Sequence, residues 1–480
     1  MILAIDQGTT STRAVLFDKY GKAIKTAQKP HKQIFPQAGW VSHNANEIYA
    51  NVLEVVKEAG IKDAAAIGIT NQRETLVLWD SRTGEPICDA IVWQCRRSAD
   101  ICARMTADGM SGVVHQRTGL LIDPYFTATK IKWAIDNIPQ VKPLMAQGYL
   151  RAGTIDSYLI FRLSKGKSHI TDYTNAARTM LFDIVKGCWD DDILRYLGID
   201  KDILPRVVPS SGIVALAEDF GVPISGIAGD QHAALFGQDC LKPGDVKNTY
   251  GTGCFLLKNI GNKVIVKSNK LLTTIAWHIN GETTYALEGS VFNAGSAIEW
   301  MMREMKLVSN VQEINEICYT TPDTDGAYFV PAFSGLGAPH WDMYAKGTLC
   351  GLSLSTNKSH IVRAVMESIA FQSKDLIDHM DEVSDLPVSP LKVDGGVSKS
   401  DFTMQFQADL LGVPVQRPNY TETTVLGAYK LAALGVGLDF GKEMAEGRVF
   451  ESSAQSFEMQ KRYAYWKKAV ERAGGWIITD

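Results

Sequence analysis

Three short stretches of this 480-residue chain place acids, hydroxyls and glycines where phosphate and polyol chemistry would need them. The first is Asp6-Gln7-Gly8-Thr9-Thr10-Ser11-Thr12-Arg13, set between the apolar runs Ala4-Ile5 and Ala14–Phe17. It reads as a β-hairpin whose tip is crowded with backbone N–H and hydroxyl donors, a cradle for phosphate. Gly8 is expected to give the turn a positive φ and let a ligand approach the backbone closely. Asp6 beside it is placed to hold a hydrated divalent cation against the phosphates. A Thr-rich surface turn has the same composition, so this stretch alone leaves both readings open.

The second stretch is Asn71-Gln72-Arg73-Glu74, four polar residues directly after the apolar run Ala65–Thr70. Charges at a strand end can simply meet solvent. They can equally present a rigid donor fork and a carboxylate acceptor to neighbouring hydroxyls of a polyol. The third is Asp230, which follows Gly229 at the end of another apolar strand, a usual place for a catalytic carboxylate in open α/β sheets. Asp230 also stands where an N-cap of the helix Gln231–Gln238 would stand, and one residue can hold both roles. Trp93, Tyr125 and Phe255 lie beside polar motifs and could cover a carbon backbone or belong to the core.

The elements that would position these groups alternate between strand and helix, which argues for a mixed α/β layer architecture. Between Asn44 and Gly60, Ile48, Val52, Val55, Val56 and Ala59 fall on one helical face, with Gly60 as the stop. A mostly helical region runs from Arg96 to Leu197. The turn cluster Lys242-Pro243-Gly244-Asp245 predicts a boundary between domains 1–243 and 244–480. Directly beyond it, Asn248-Thr249-Tyr250-Gly251-Thr252-Gly253-Cys254-Phe255 repeats the strand, Gly/Thr tip and strand of Asp6–Leu16. This weak internal repeat suggests two similar halves gripping one phosphorylated ligand. Val393-Asp394-Gly395-Gly396 enters a glycine turn before the helix Phe402–Leu411, whose N-terminus offers free N–H groups to a nucleotide. Further helices are expected over His360–Met380, Thr424–Leu434 and Phe457–Ala473. No G-x-G-x-x-G follows a strand, and Gly441-Lys442-Glu443 lacks the Ser or Thr and the glycine spacing of a P-loop.

Composition narrows the partners. A net charge of −4 gives no electrostatic reason to expect nucleic acid or an anionic membrane. No apolar run approaches the length of a membrane span, and Asp6 interrupts the position a signal peptide would need. The eight cysteines lie singly, with no C-x-x-C pair, so zinc and a disulfide framework are disfavoured and the cytoplasm is expected.

Taken in order, Asp6–Ser11, Gly68–Thr75, Ile91–Arg97, Asp123–Phe126, Gly226–Gln231, Asn248–Phe255, Pro331–Pro339 and Val393–Gly396 resemble the FGGY carbohydrate kinase family from end to end, in its glycerol-phosphorylating form. The resemblance implies an α/β fold of two actin-like ATPase (ribonuclease H-like) domains around a central catalytic cleft, and ATP with Mg²⁺ as phosphoryl donor. It implies Asp230 as general base. It also implies Arg73, Glu74, Tyr125 and Asp230 on the glycerol hydroxyls, with Gln231 adjacent and Trp93 and Phe255 on the carbon chain. Thr9, Thr10, Ser11 and Arg13 would meet nucleotide from the first half, and Thr252, Gly295 and Gly396 from the second. Asp6 and Asp230 would lie near the metal. Two nucleotide-side positions that often carry Gln and Asn in the family are Glu299 and Ser400 here. Val207–Pro223 lacks both the loop through which some members bind fructose 1,6-bisphosphate and the histidine that others phosphorylate. A homo-oligomer, dimer or tetramer, is expected. Two other readings remain: a kinase for another small polyol or ketose, and a non-catalytic actin-like ATP-binding switch. The switch leaves Arg73, Glu74 and Asp230 without a task.

Overall fold

The structure, a computed structural model, describes residues 1–388, 390–439, 447–453 and 456–478; the Gly441-Lys442-Glu443 stretch therefore lies outside the described residues. The chain forms two compact units, and neither is a single run of sequence. The first holds Met1–Asp239, Gly261–Ala286 and the helix that starts at Thr423. The second holds Cys240–Ile260, Leu287–Glu422 and the C-terminal segment.

In the first unit, β1 (Ile2–Gln7), β2 (Ser11–Phe17), β3 (Ala23–Pro30), β4 (Ala66–Asn71), β5 (Ser211–Ala217) and β6 (Val222–Gly229) form one sheet in the order β5-β6-β4-β1-β2-β3. β1 and β2 are antiparallel, with Asp6 opposite Arg13, whereas β4 runs parallel to both β1 and β6. The helices that bear on the site are α1 (Ala45–Ala59), α2 (Thr127–Asn137) and α3 (Asp230–Gly237). α1 begins where the Asn44 side chain accepts the Glu47 N–H and ends at Gly60, whose φ of 97° lets the chain leave the helix. Its face of Ile48, Val52, Val55, Val56 and Ala59 is buried with Leu3, Ile5, Leu16, Ile67 and Ile69 in one core cluster.

The other side of this sheet is covered by the Thr423–Gly435 helix, which packs on β1, β4, β6 and α3. The approach is backbone to backbone. A Cβ on Gly68 would stand 2.1 Å from the Ala428 carbonyl oxygen, and one on Gly427 would stand 1.8 Å from that of Ala233. A helix from the far end of the chain thus completes the first unit.

The second unit has the same core pattern. Its strands β7 (Val246–Tyr250), β8 (Cys254–Gly261), β9 (Leu391–Gly395), β10 (Val415–Pro418) and β11 (Gly447–Phe450) run in the order β8-β7-β9-β10-β11, which matches β2-β1-β4-β6-β5. β7 is antiparallel to β8 and parallel to β9, as β1 is to β2 and β4. The helices used below are α4 (Gly295–Arg303), α5 (Val311–Thr320), α6 (Lys358–Ser384) and α7 (Asp401–Leu411). Among the described residues, no helix is long and apolar enough to cross a membrane.

Candidate active site

In the first unit, the C-terminal ends of parallel strands bring the polar residues together. Arg73, one residue past Gln72 beyond β4, is 3% exposed, and its Nε lies 3.1 Å from Asp230 Oδ1 at the end of β6. The same guanidinium reaches the Tyr125 hydroxyl at 3.5 Å and Glu74 Oε1 at 3.8 Å. It can cross the strand end because residue 229 is glycine; a Cβ there would stand 2.6 Å from Arg73 Cγ. Glu74 is 1% exposed, and its carboxylate accepts a 2.6 Å bond from Nε of Arg178, which is fully buried. A buried carboxylate and a buried guanidinium this close offset each other's desolvation.

Glu74 also has a φ of 58°, a left-handed conformation uncommon for a residue with a side chain. The Thr75 N–H donates back to the Arg73 carbonyl at 2.7 Å, closing a tight turn around Glu74. Such conformations persist where the surroundings over-determine them, and they concentrate at ligand sites. Asp230 is the first residue of α3, and the N-cap is Gly229. The capping alternative therefore fails: the helix has no side-chain cap, and Oδ1 of Asp230 accepts the adjacent Gln231 N–H at 2.7 Å beside the Arg73 guanidinium. Its side chain is 29% exposed, so one face remains open to a ligand. Gln231 is half-buried beside it.

The hairpin tip is tied to this cluster. The Trp93 indole donates to Thr9 Oγ1 at 3.0 Å, and its ring meets Tyr125 edge to face at 5.6 Å between centroids. The Gln72 backbone N–H donates to the Gln7 carbonyl at 2.7 Å, and its side chain reaches the Gly8 carbonyl at 3.3 Å. His31 and Gln33 hold the Thr9 carbonyl from the other side, at 2.9 and 2.6 Å. Thr10 is exposed, and the Ser11 hydroxyl accepts from Gln28. One expectation changes here. Gly8 does not adopt a positive φ; the tip closes through its N–H to the Ser11 carbonyl at 2.9 Å, without a left-handed residue. Its use is space, since a Cβ would meet only that carbonyl, at 3.4 Å. Arg13 runs along the sheet, where its guanidinium donates to Gln28 Oε1 at 3.1 and 3.2 Å.

The second unit carries a cavity of about 340 Å³ lined by Thr252, Gly295, Glu299, Gly396 and Ser400, all five of the nucleotide positions read in this half. Gly295 starts α4 so close to the β7–β8 tip that a Cβ would stand 2.6 Å from the Gly251 carbonyl. Ser400 caps α7, where its hydroxyl accepts the Thr403 N–H, so its first role is structural. Glu299 is exposed at the rim, 3.8 Å from Arg303. Val311, Ile314 and Met366 from α5 and α6 add an apolar wall suited to a base, and Asn315 adds a polar group. Sequence reading missed these four, along with Lys130 and Arg178. Phe255 is half-buried on β8 in the second unit.

Comparison with known proteins places the chain in a family. Residues 1–237 match the N-terminal domain of the FGGY family of carbohydrate kinases, and residues 246–436 match its C-terminal domain. Over 99% of both chains, the sequence is 51% identical to glycerol kinase 2 of Thermotoga maritima and 51% identical to a glycerol kinase of Treponema denticola. The fold superposes on the crystal structure of Plasmodium falciparum glycerol kinase with ADP at a TM-score of 0.94, with 36% identity, covering 100% of this chain and 98% of that one. A xylulose kinase from Lactobacillus acidophilus, 24% identical, shares the fold at a TM-score of 0.87 over 97% of each chain. With a doubled hairpin fold, a charged cluster at one set of strand ends and a glycine-lined cavity at the other, the chain belongs to the FGGY family of carbohydrate kinases.

Proposed function

We propose that this enzyme transfers the γ-phosphoryl group of ATP to a terminal hydroxyl of glycerol, giving sn-glycerol 3-phosphate and ADP. The observation that carries the reading is the cluster of Arg73, Glu74, Tyr125 and Asp230. It offers a donor fork, a carboxylate acceptor, a phenol and a second carboxylate within one small polar patch. Proteins about half identical over their full length carry the name glycerol kinase, which supports the choice among polyols.

In the reaction, Arg73 and Glu74 hold adjacent hydroxyls, and Trp93 and Tyr125 present ring surface to the carbon chain. Asp230 accepts the proton of the attacking hydroxyl as its oxygen bonds to phosphorus and the bond to the ADP oxygen breaks. Phe255 is assigned to the same carbon chain. A ligand lacking a hydroxyl would forfeit its bond to the buried Arg73 or Glu74, at a cost of about 1–3 kcal/mol each, so selectivity follows from burial. Gln231 is assigned beside the substrate. Thr9, Thr10, Ser11 and Arg13 are assigned to the phosphates, and Thr252, Gly295, Glu299, Gly396 and Ser400 to the rest of the nucleotide.

The donor set suits Mg²⁺. Asp6 and Ala228 both lie beside Thr70 of β4, so the strand ends bearing Asp6 and Asp230 are about 10 Å apart. Two separated carboxylates cannot enclose an ion, but they fit one that keeps its waters and takes phosphate oxygens. Held with ATP near Asp6 and Asp230, Mg²⁺ would supply charge neutralisation for the transferring group. The reading also places the enzyme in the cytoplasm, where its eight free cysteines remain reduced, and as a homo-oligomer, which sedimentation measures.

The test is ADP release from Mg-ATP with glycerol, other polyols or ketoses, or no addition. Stimulation by glycerol above the rest is expected. Stimulation only by another compound would overturn the substrate, and stimulation by none would favour the ATP-binding switch.

A further inference from the structure

Lys130 lies in the second turn of α2, and its side chain is fully buried. Its Nζ donates to two main-chain carbonyls, that of Glu74 at 2.9 Å and that of Tyr125 at 2.5 Å. These carbonyls belong to segments 51 residues apart in the chain, each of which sends a side chain into the polyol cluster. The Thr127 hydroxyl gives the Glu74 carbonyl a second donor at 3.2 Å. Glu74 is the left-handed residue of the site, so its main chain needs external restraint. Lys130 and Thr127 restrain its carbonyl, while Arg178 restrains its carboxylate.

Stability alone does not account for a lysine at this position. The ammonium is desolvated, and burial pushes its pKa down to about 7. An apolar side chain of the same length would avoid that cost. What it could not do is bridge two carbonyls.

We propose that Lys130 is a positioning residue for polyol recognition: its bridge sets the separation of Glu74 from Tyr125 and so the KM for the polyol. The proposal rests on the reading of this cluster as the polyol site. A lysine that only supported the fold would change stability and every kinetic constant together. A positioning lysine changes one constant selectively.

The experiment compares the wild type with Lys130→Met and Thr127→Val, using glycerol and ATP titrations and a thermal melt. Lys130→Met removes both bonds and should raise the glycerol KM about tenfold, at the lower end of what two buried hydrogen bonds are worth, with the ATP KM and kcat within about threefold of wild type. Thr127→Val should move the glycerol KM the same way by about threefold. A folded Lys130→Met with an unchanged glycerol KM would overturn the proposal, as would an ATP KM that rises by the same factor. Should Lys130→Met fail to fold, Thr127→Val decides on the same criteria. Failure of the underlying reading shows separately: the wild type itself would release no extra ADP with glycerol. Where another polyol stimulates it, the titrations use that compound, and where none does, this proposal falls with the reading.

Discussion

Replacing Asp230 with asparagine separates the chemistry from the architecture better than any other change at the site. Asn has the same shape and keeps an oxygen that can accept from Gln231 N–H and Arg73 Nε, the two partners of Asp230 at 2.7 and 3.1 Å. The charge is lost, and with it a favourable interaction with the start of α3 and an ion pair whose carboxylate is 29% exposed. Each is a partly solvated effect, so together they should cost about 1 kcal/mol, a fall of roughly 2–4 °C in Tm for a unit of this size. The general base contributes much more: about 10²–10⁴ in kcat, or roughly 3–5 kcal/mol. Asp230→Asn should therefore melt near the wild type and bind glycerol measurably by calorimetry, while ADP release at saturating glycerol and ATP falls at least about a hundredfold. A folded variant with kcat within about tenfold of wild type would refute the assignment and leave Asp230 as an anchor for Arg73.

Two further outcomes follow from the structure. Gly396 has ordinary backbone angles, φ −62° and ψ −45°, and a Cβ there meets no atom within 4 Å, so a side chain fits the fold but enters the space beside the nucleotide cavity. Gly396→Val should raise the ATP KM by about tenfold with glycerol KM and Tm unchanged; a fall in Tm with normal ATP binding would contradict it. His169 is held by burial at a pKa of about 3, packed against Trp79 at 5.1 Å and bonded to the Ala152 carbonyl. Above about pH 6.5 it is neutral in both states and has no effect. As the pH falls from there toward 3, the unfolded chain gains a proton that the folded one refuses, so stability drops by roughly 1.4 kcal/mol per pH unit. His169→Phe should flatten the slope of urea-unfolding stability between pH 6 and 4.5 by about that amount, and an unchanged slope would count against the buried neutral ring.

Local signals in the sequence were those that local physics sets. Asn44 and Gly60 mark the ends of α1 because capping and a left-handed exit are properties of single residues, and the structure places both there. The two glycine-bearing hairpins and the strand ends at Arg73 and Gly396 were legible for the same reason. The docking of Thr423–Gly435 on the first sheet was not, since it depends on Gly68 and Gly427 meeting backbone distant in sequence. Lys130 and Arg178 were missed because a lone basic residue in a helical stretch reads as a solvated face, and only the fold shows each to be fully buried around Glu74. Gly8 errs in the opposite direction. Glycine in a tight tip suggests left-handed backbone, but here it leaves room instead.

The internal repeat explains how one architecture supplies two kinds of site. In each unit an antiparallel hairpin is followed by two further strands parallel to its first, β4 and β6 in one and β9 and β10 in the other. Chain leaving the first of these strands ends up beside the hairpin tip, at the carboxyl ends where open α/β sheets bind ligands. In the first unit that exit is Gln72-Arg73-Glu74, with buried charges held by Arg178, Asp230 and Lys130, and it is suited to counting hydroxyls. In the second it is Gly396-Val397, where nothing blocks close approach to the backbone, and it is suited to a large flat ligand. On the proposed reading, residue type at one topological position, rather than any difference in fold, separates recognition of the acceptor from recognition of the donor. On that reading the strained Glu74 and its buried lysine serve the acceptor side, where discrimination among small polyols rests on a few fixed hydrogen bonds, whereas a nucleotide offers area enough to be held by shape.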